Sequence, residues 1–592
     1  MSGPFQRACG ANGIIGAKDL RPADAARLHD WLARRGARTL TGTELCRLWV
    51  IGTPVGGLTT LTDGAVQGWL LGDLFCADHA TAADTAGMLA QAYRARGHRL
   101  VWDLTGQFAL ILWDAERREL ALFRDGSSAQ GLYHAGRPDG SLLFADRPDL
   151  LAECPLLPRR VSRPALHEYL RFLDISTPRT LYDGILSCEP GRLYLHARHG
   201  LHVLDAPAQA PQSDTPVGLD AAAAELDRRL AAAVAGRLAT TGTTIAFLSG
   251  GVDSAYLCAL AAEMDPGRIR ALTVGFSAPP EDESAVAARI AAHIGVPHEV
   301  LRFDLDACRE AFDALAAGAA QPFADPAGVP TLLAYRHARS IGDVALDGTG
   351  ADTLLGIMPA RHQRIAVAWS ALLPAPARRL LAALMAPLPV IRDYRALVDF
   401  GDPEEALVRW HGFERRAIEA LCGEHVSLAG SRYYRVFRGY RRHAHYERYS
   451  ALMGNLPDDR IHVAAALTGL RVRFPFFDAA VADLIRALDR DLRWRPDEPK
   501  RVLKAALGRR LPRTLWDVPK HGFDFPFTDL LRHRDATLIH TWMTPARIRS
   551  AGLRDVAAVN AMVDTFIAGD NRHAFRIWSL VVLFAWLDTH GL

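Results

Sequence analysis

The segment FLSGGVDSAY, residues 247–256, combines three features that together make an anion site. An apolar β-like run ends at Ser249, two glycines follow, and a helix is expected from about Asp253. Gly250 and Gly251 put no side chain between a phosphate and the backbone, and the new helix offers unpaired N–H groups at its positive end. The segment lacks the GKS or GKT ending of a nucleoside triphosphatase loop, whose lysine reaches the β and γ phosphates, and this argues against γ-phosphate chemistry. Asp253 stands where a carboxylate would repel a polyphosphate unless a cation lay between them. Magnesium suits that role, because it takes one or two carboxylates together with phosphate oxygens. A second acidic turn should then lie on a neighbouring strand. DVALDGTGADTLLG supplies one: an apolar run enters a glycine-rich turn, with Asp352 just beyond. Either aspartate could instead cap a helix.

Two such turns need a parallel sheet to hold them side by side. TTIAFLS, DSAYLCALAAEM, IRALTVGF, ESAVAARIAAHIG and HEVLRFD alternate strand and helix, the grammar of a parallel sheet covered on both faces. Residues 1–203 read differently. Short β-like runs (AVQGWLLGDLF, GQFALILWD, ELALFRD, SLLFAD, GRLYLH) are separated by turn residues, which predicts a sheet-rich domain. Residues 204–218, LDAPAQAPQSDTPVG, are rich in Pro, Ser, Gln and Asp and form the expected linker to a second domain over 219–592. From about 359 onward the sequence favours helices.

Composition narrows the partners. A formal charge of +3 on 69 basic and 66 acidic residues gives no basic field of the kind that nucleic-acid binding needs. Eight cysteines occur singly, with no CxxC pair, which fits reduced thiols in a cytoplasmic setting. The N-terminal MSGPFQRACGANG has no apolar core of a secretory signal. The most apolar run, IWSLVVLFAWL, is about half the roughly 20 residues a membrane span requires, so a buried terminal helix is expected. AWSALLPAPARRLLAALMAPLPVI is apolar too, but its prolines and the Arg378–Arg379 pair interrupt it, which argues against membrane contact.

SGGVDS resembles the pyrophosphatase loop of the N-type ATP pyrophosphatases, and GTGAD resembles the second metal-binding turn of the asparagine synthetase group within them. LRVRFPFFDAAVADLI, EPKRVLKAALGRRLP and DVPKHGFDFPFTDLL resemble that group's C-terminal segments, and LTGQFALILWD and ALFRDGSSAQGLYHA resemble late strands of its N-terminal domain. The resemblance implies an α/β protein in two parts. The first is an inactive Ntn-hydrolase-like αββα domain. The second is an adenine-nucleotide α-hydrolase-like (PP-loop) domain with a parallel sheet and a helical extension. It also implies that ATP, with Mg2+, is split between its α and β phosphates, so that a carboxylate becomes an acyl-adenylate. Carried over by position, Ser249, Gly250, Gly251, Asp253 and Ser254 hold pyrophosphate and metal, Asp352 holds metal, and Phe247, Leu248, Val274 and Gly348 line the adenosine pocket. Lys520, in VPKHG, matches the lysine that stabilises transition-state charge. A positioned ammonium in a dry site lowers a barrier by about 3–4 kcal/mol; a solvated surface lysine is the alternative reading. Glu283 is a candidate to assist the metal, and its place at a helix start explains it equally well.

Glutamine-dependent members of the group expose a catalytic cysteine at the mature N-terminus. Here position 2 is Ser2, and Cys9 would serve only after removal of eight residues. The group's NGE turn aligns with LGD, so Leu71 replaces an oxyanion-hole donor, a loss of about 10²-fold or more in rate. Asp84 falls where the group binds the amine of glutamine and is read as structural. The attacking amine must then come from the substrate, as in β-lactam synthetases and lasso peptide cyclases. Thr349 stands where asparagine synthetases place Glu and β-lactam synthetase places Tyr, and a hydroxyl is too weak a base to replace either, so the general base stays unassigned. Downstream, SRYYRVFRGYRRHAHYERY sets Arg432, Arg435, Arg438 and Arg442 among Tyr433, Tyr434, Tyr440 and Tyr446. This is either a peptide-binding surface or a charged helix that packs its tyrosines inward. The resemblance thus leads to a cytoplasmic macrolactam-forming cyclase that acts on a precursor (core) peptide. A leader peptidase and a leader-recognition protein are its expected partners, with no nucleic acid and no membrane span. The other reading is an asparagine-synthetase-like or β-lactam-synthetase-like enzyme acting on a small amino-acid substrate.

Overall fold

The computed structural model describes residues 13–592 apart from 44, 53–56, 76–81, 128, 208–215, 276–282, 357–360, 386–387, 389–390, 392–397, 399–411, 426, 429, 440–458 and 519–524. The N-terminal part is two antiparallel six-stranded sheets. One centres on Gly13–Lys18, paired with Cys46–Ile51 and Leu142–Ala145; the other centres on Gly106–Asp114, paired with Val66–Leu74 and Glu119–Arg124. Alternation along the strands sends Ile14, Leu48 and Val50 of the first sheet against Trp69, Ile111 and Trp113 of the second, a sheet-on-sheet core. The outer faces are covered by helices. Leu28, Trp31 and Leu32 of Pro22–Ala33 pack on Ile15 and Trp49, while Leu89 and Tyr93 of Ala82–Arg96 pack on Leu70 and Leu110. This is the expected αββα layering, and every β-like run singled out in the sequence contains a strand of it.

Helix Leu219–Ala235 opens the second part, whose sheet has five parallel strands. They are β1 (Thr244–Phe247), β2 (Ile269–Val274), β3 (His298–Leu301), β4 (Val344–Leu346) and β5 (Arg471–Arg473), in spatial order β3-β2-β1-β4-β5. Both faces are buried under helices, including Val252–Met264, Ser284–Ile294 and Arg501–Leu507 on one side and Leu305–Gly318 and Gly328–Ile341 on the other. After β1 the chain moves outward to β2 and β3, then returns to the other side of β1 as β4. The strand order therefore reverses between β1 and β4, and the carboxyl ends of these two strands are where open parallel sheets bind ligands. The helix Ala574–His590, which carries the IWSLVVLFAWL run, is buried as expected: Tyr169 donates to the Ser579 carbonyl at 2.8 Å, and Trp586 donates to the Ala319 carbonyl at 2.8 Å. Among the described residues no helix is long and apolar enough to cross a membrane.

The two parts meet at β5, the edge strand of the parallel sheet. Gln107, buried on the N-terminal sheet, donates from Nε2 to the Val472 carbonyl at 3.0 Å and accepts from the Phe474 N–H at 2.9 Å. A side-chain amide thus finishes an edge that would otherwise leave backbone groups unpaired. Arg473 adds bonds to the carbonyls of Arg237 and Leu238 at 2.9 Å and an ion pair to Asp73 at 3.3 Å. Replacing Gln107 by Ala orphans two buried backbone groups and should lower stability by about 2–3 kcal/mol. An unchanged chemical-denaturation midpoint would show that the amide does not join the two parts.

Candidate active site

The turns after β1 and β4 lie beside each other because their strands pair directly, Thr244 with Val344 and Ala246 with Leu346. Gly250 has φ +80°, a conformation costly for a side chain, and a β-carbon there would come within 3.3 Å of the Glu283 carbonyl oxygen and Val286. The loop is tied by its serines. The Ser249 N–H donates to Ser254 Oγ at 3.1 Å, and the Ser254 hydroxyl donates to the Gly251 carbonyl at 3.2 Å. Helix Val252–Met264 starts from Gly251 with no side-chain cap, so its first N–H groups face the carboxyl end of the sheet. On the other turn, Gly348 passes so close to the loop that a β-carbon would sit 3.2 Å from that of Asp253 and 3.4 Å from the Ser254 nitrogen. Glycine at 348 is what lets the two acidic turns converge.

They converge on a lysine. Lys500 Nζ lies 2.6 Å from Asp253 and 2.5 Å from Asp352. Burial works to lower its pKa, but the two carboxylates outweigh burial and hold the ammonium above its ordinary range. Lys500 is positioned from behind. The helix Arg501–Leu507 buries Val502, Leu503, Ala506 and Leu507 in the same core as Val252–Met264, and Lys500 immediately precedes it with φ +56°. A non-glycine residue in the left-handed region costs about 1–2 kcal/mol, and such conformations persist where the surroundings over-determine them. Asp253 is largely sheltered, whereas the Asp352 side chain is 41% exposed, so the cluster opens to solvent on the Asp352 side.

The structure thus brings together Ser249, Gly250, Gly251, Asp253, Ser254, Gly348 and Asp352, and adds Lys500, which sequence reasoning passed over. The signal was present: of 69 basic residues only Lys18, Lys500, Lys504 and Lys520 are lysines, so a lysine in this chain is rare enough to ask about. Of the residues expected around adenosine, Phe247 stacks on Tyr335 with ring centroids 5.1 Å apart, and Val274 ends β2 partly buried. The Leu248 side chain is buried in the core. Its N–H donates to the Leu272 carbonyl, and its own carbonyl accepts from the Thr273 hydroxyl at 2.5 Å. Glu283 borders Gly250 through its backbone, at the start of helix Ser284–Ile294. The Thr349 hydroxyl donates to Asp347 Oδ1 at 2.6 Å. Lys520, Ser2 and Cys9 lie outside the described residues. Leu71 is buried within Val66–Leu74, opposite Ala109, and offers no donor from its side chain; Asp84 lies in helix Ala82–Arg96. Of the two readings of the arginine–tyrosine segment, the described part follows the second, a helix that packs its tyrosines inward. Tyr433 and Tyr434 of helix Arg432–Gly439 are core residues packed on Phe172, with centroids 4.5 and 5.8 Å away, and not a peptide-facing surface. Tyr440, Arg442 and Tyr446 lie outside the described residues.

Residues 225–588 match the Asparagine synthase family, and residues 76–205 match the Glutamine amidotransferase domain family. A Mycobacterium tuberculosis protein assigned as a glutamine-hydrolyzing asparagine synthetase is 27% identical over 538 residues, 86% of this chain and 80% of its own. Asparagine synthetase 1 of Bacillus subtilis is 22% identical over 529 residues, 86% of this chain and 81% of its own. The amidase chyE of Penicillium rubens is 27% identical over 281 residues, 44% of this chain and 41% of its own. With more than half of its length matched, over 225–588, the chain belongs to the asparagine synthase family.

Proposed function

We propose that this protein activates a side-chain carboxylate of a precursor peptide as an acyl-adenylate and closes a macrolactam with the peptide's own N-terminal amine. Membership of the family makes it an ATP-dependent, AMP-forming carbon–nitrogen ligase; the peptide substrate and the residue roles are our reading. The observation that carries it is the Asp253–Lys500–Asp352 cluster at the carboxyl ends of β1 and β4. Backbone N–H groups of Gly250 and of the first turn of helix Val252–Met264 bind the pyrophosphate portion, and Lys500 holds positive charge beside it. Asp253 and Asp352 fit a magnesium ion, since both carboxylates already converge on one cation. No cluster of three or more His, Cys, Asp or Glu occurs among the described residues, which suits an ion shared with phosphate oxygens better than a protein cage. When bound, Mg2+ would offset the charge of the departing pyrophosphate. The substrate carboxylate displaces pyrophosphate from the α-phosphorus. The amine nitrogen then bonds to the acyl carbon as AMP leaves and one proton is released. Lys520 is our candidate for stabilising charge in the acyl transfer.

Leu71 supports a substrate-borne amine, because a buried leucine stands where glutamine hydrolysis needs an oxyanion donor. The second reading, a small amino-acid substrate, is favoured by likeness to asparagine synthetases over most of the chain. Asp253→Asn and Lys500→Met should each lower ATP–pyrophosphate exchange by about 10²–10³-fold with the far-UV circular dichroism intact; exchange near the native rate would remove these residues from the site. With ATP, Mg2+ and a linear peptide bearing a free N-terminal amine and an internal Asp or Glu, mass spectrometry should show loss of one water and a blocked amine, and added glutamine should yield no glutamate. Exchange stimulated by free amino acids and by no peptide would establish the second reading instead.

A further inference from the structure

Two helices beyond the Asp352 turn carry their large apolar residues outward. Of the 17 large hydrophobic residues exposed among the described residues, nine fall between 365 and 391, so the exposure is concentrated in one stretch of the chain. In helix Arg361–Ser370 and the turn after it, Ile365, Trp369 and Leu372 recur at i, i+4 and i+7. In helix Ala375–Met385 and just beyond, Leu380, Leu384 and Leu388 recur at i, i+4 and i+8. Trp369 is 70% exposed, Leu372 76%, Leu380 63% and Leu384 61%, whereas the inward positions are filled by Val367, Ala382 and Met385. Two successive helices that each bury smaller apolar residues and present larger ones are built to be covered.

Charge indicates what covers it. From 353 to 392 there is no Asp or Glu, while Arg361, Arg364, Arg378, Arg379 and Arg392 all fall in that stretch. Arg378 turns inward to the Leu373 carbonyl, and Arg361 and Arg379 are exposed. A second copy of the chain would set Arg361 and Arg379 against their own counterparts across a two-fold interface, which like-charge repulsion opposes. An anionic lipid surface meets every feature. Leucine side chains and an indole enter the headgroup–acyl boundary, arginines meet lipid phosphates, and helices of this length lie in the interface without crossing it. The proline and arginine interruptions that argued from sequence against membrane contact rule out a span and leave surface docking intact.

We infer that the helices Arg361–Ser370 and Ala375–Met385 dock the protein on anionic phospholipid membranes, independently of which substrate the active site takes. The test is co-sedimentation of the full chain with phosphatidylglycerol–phosphatidylcholine vesicles and with phosphatidylcholine alone, for the native protein and a Trp369→Glu/Leu384→Glu double variant. These residues are exposed and neither belongs to the cluster, so circular dichroism and ATP–pyrophosphate exchange in solution should be unchanged. The expected result is binding to the anionic vesicles that weakens about tenfold or more in the double variant and in high salt. Absence of binding, or equal binding by the double variant, would overturn the inference. So would a concentration-dependent dimer, or binding of the precursor peptide, that the double variant abolishes, since the face would then belong to a protein partner.

Discussion

One ammonium, that of Lys500, is shared by two carboxylates from turns on adjacent parallel strands, and the surrounding structure follows from keeping them there. Asp253 and Asp352 would repel each other in a partly buried site without a cation between them. Their approach requires direct pairing of β1 with β4 and glycine at 348. The lysine is delivered by a short helix whose four buried apolar residues fix it against the helix that follows the SGGVDS loop, at the cost of a left-handed backbone at Lys500 itself. A loop that lacks its own lysine thus receives one from 247 residues downstream.

That arrangement explains why a glutaminase-like domain with a leucine at position 71 would be retained. Its Gln107 amide completes the exposed edge of β5, and β5 pairs with β4, whose carboxyl end leads into the Asp352 turn. Removing the domain would uncover the edge of the sheet that carries the site. The two parts also share apolar packing: one continuous cluster runs from Trp31 and Tyr169 to Ile245, Val472 and Trp586. The N-terminal part therefore works as a structural wall of the synthetase, whatever amine the reaction consumes.

Much of this was legible in the sequence, because local patterns determined it. Strand runs such as GQFALILWD and the loop FLSGGVDSAY announce themselves through alternation, glycine and charge, and the demand for a partner to Asp253 led directly to Asp352. What was not legible depends on tertiary delivery. Lys500 sits in EPKRVLKAALGRRLP, where the rarity of lysine in this chain marks it but does not aim it; its fold position does that. The Leu248 side chain faces the core, so any part it takes in a nucleotide pocket falls to its backbone, which no side-chain pattern announces. Tyr433 and Tyr434 show the same limit: spacing among arginines does not tell which side of a helix finds Phe172.

The central claim is that the Asp253–Lys500–Asp352 cluster serves cleavage between the α and β phosphates of ATP. Phosphorus-31 NMR of a turnover mixture tests it most directly. The account predicts AMP and pyrophosphate in equal amounts, with neither formed when the substrate is withheld. ADP and inorganic phosphate as the products would contradict it.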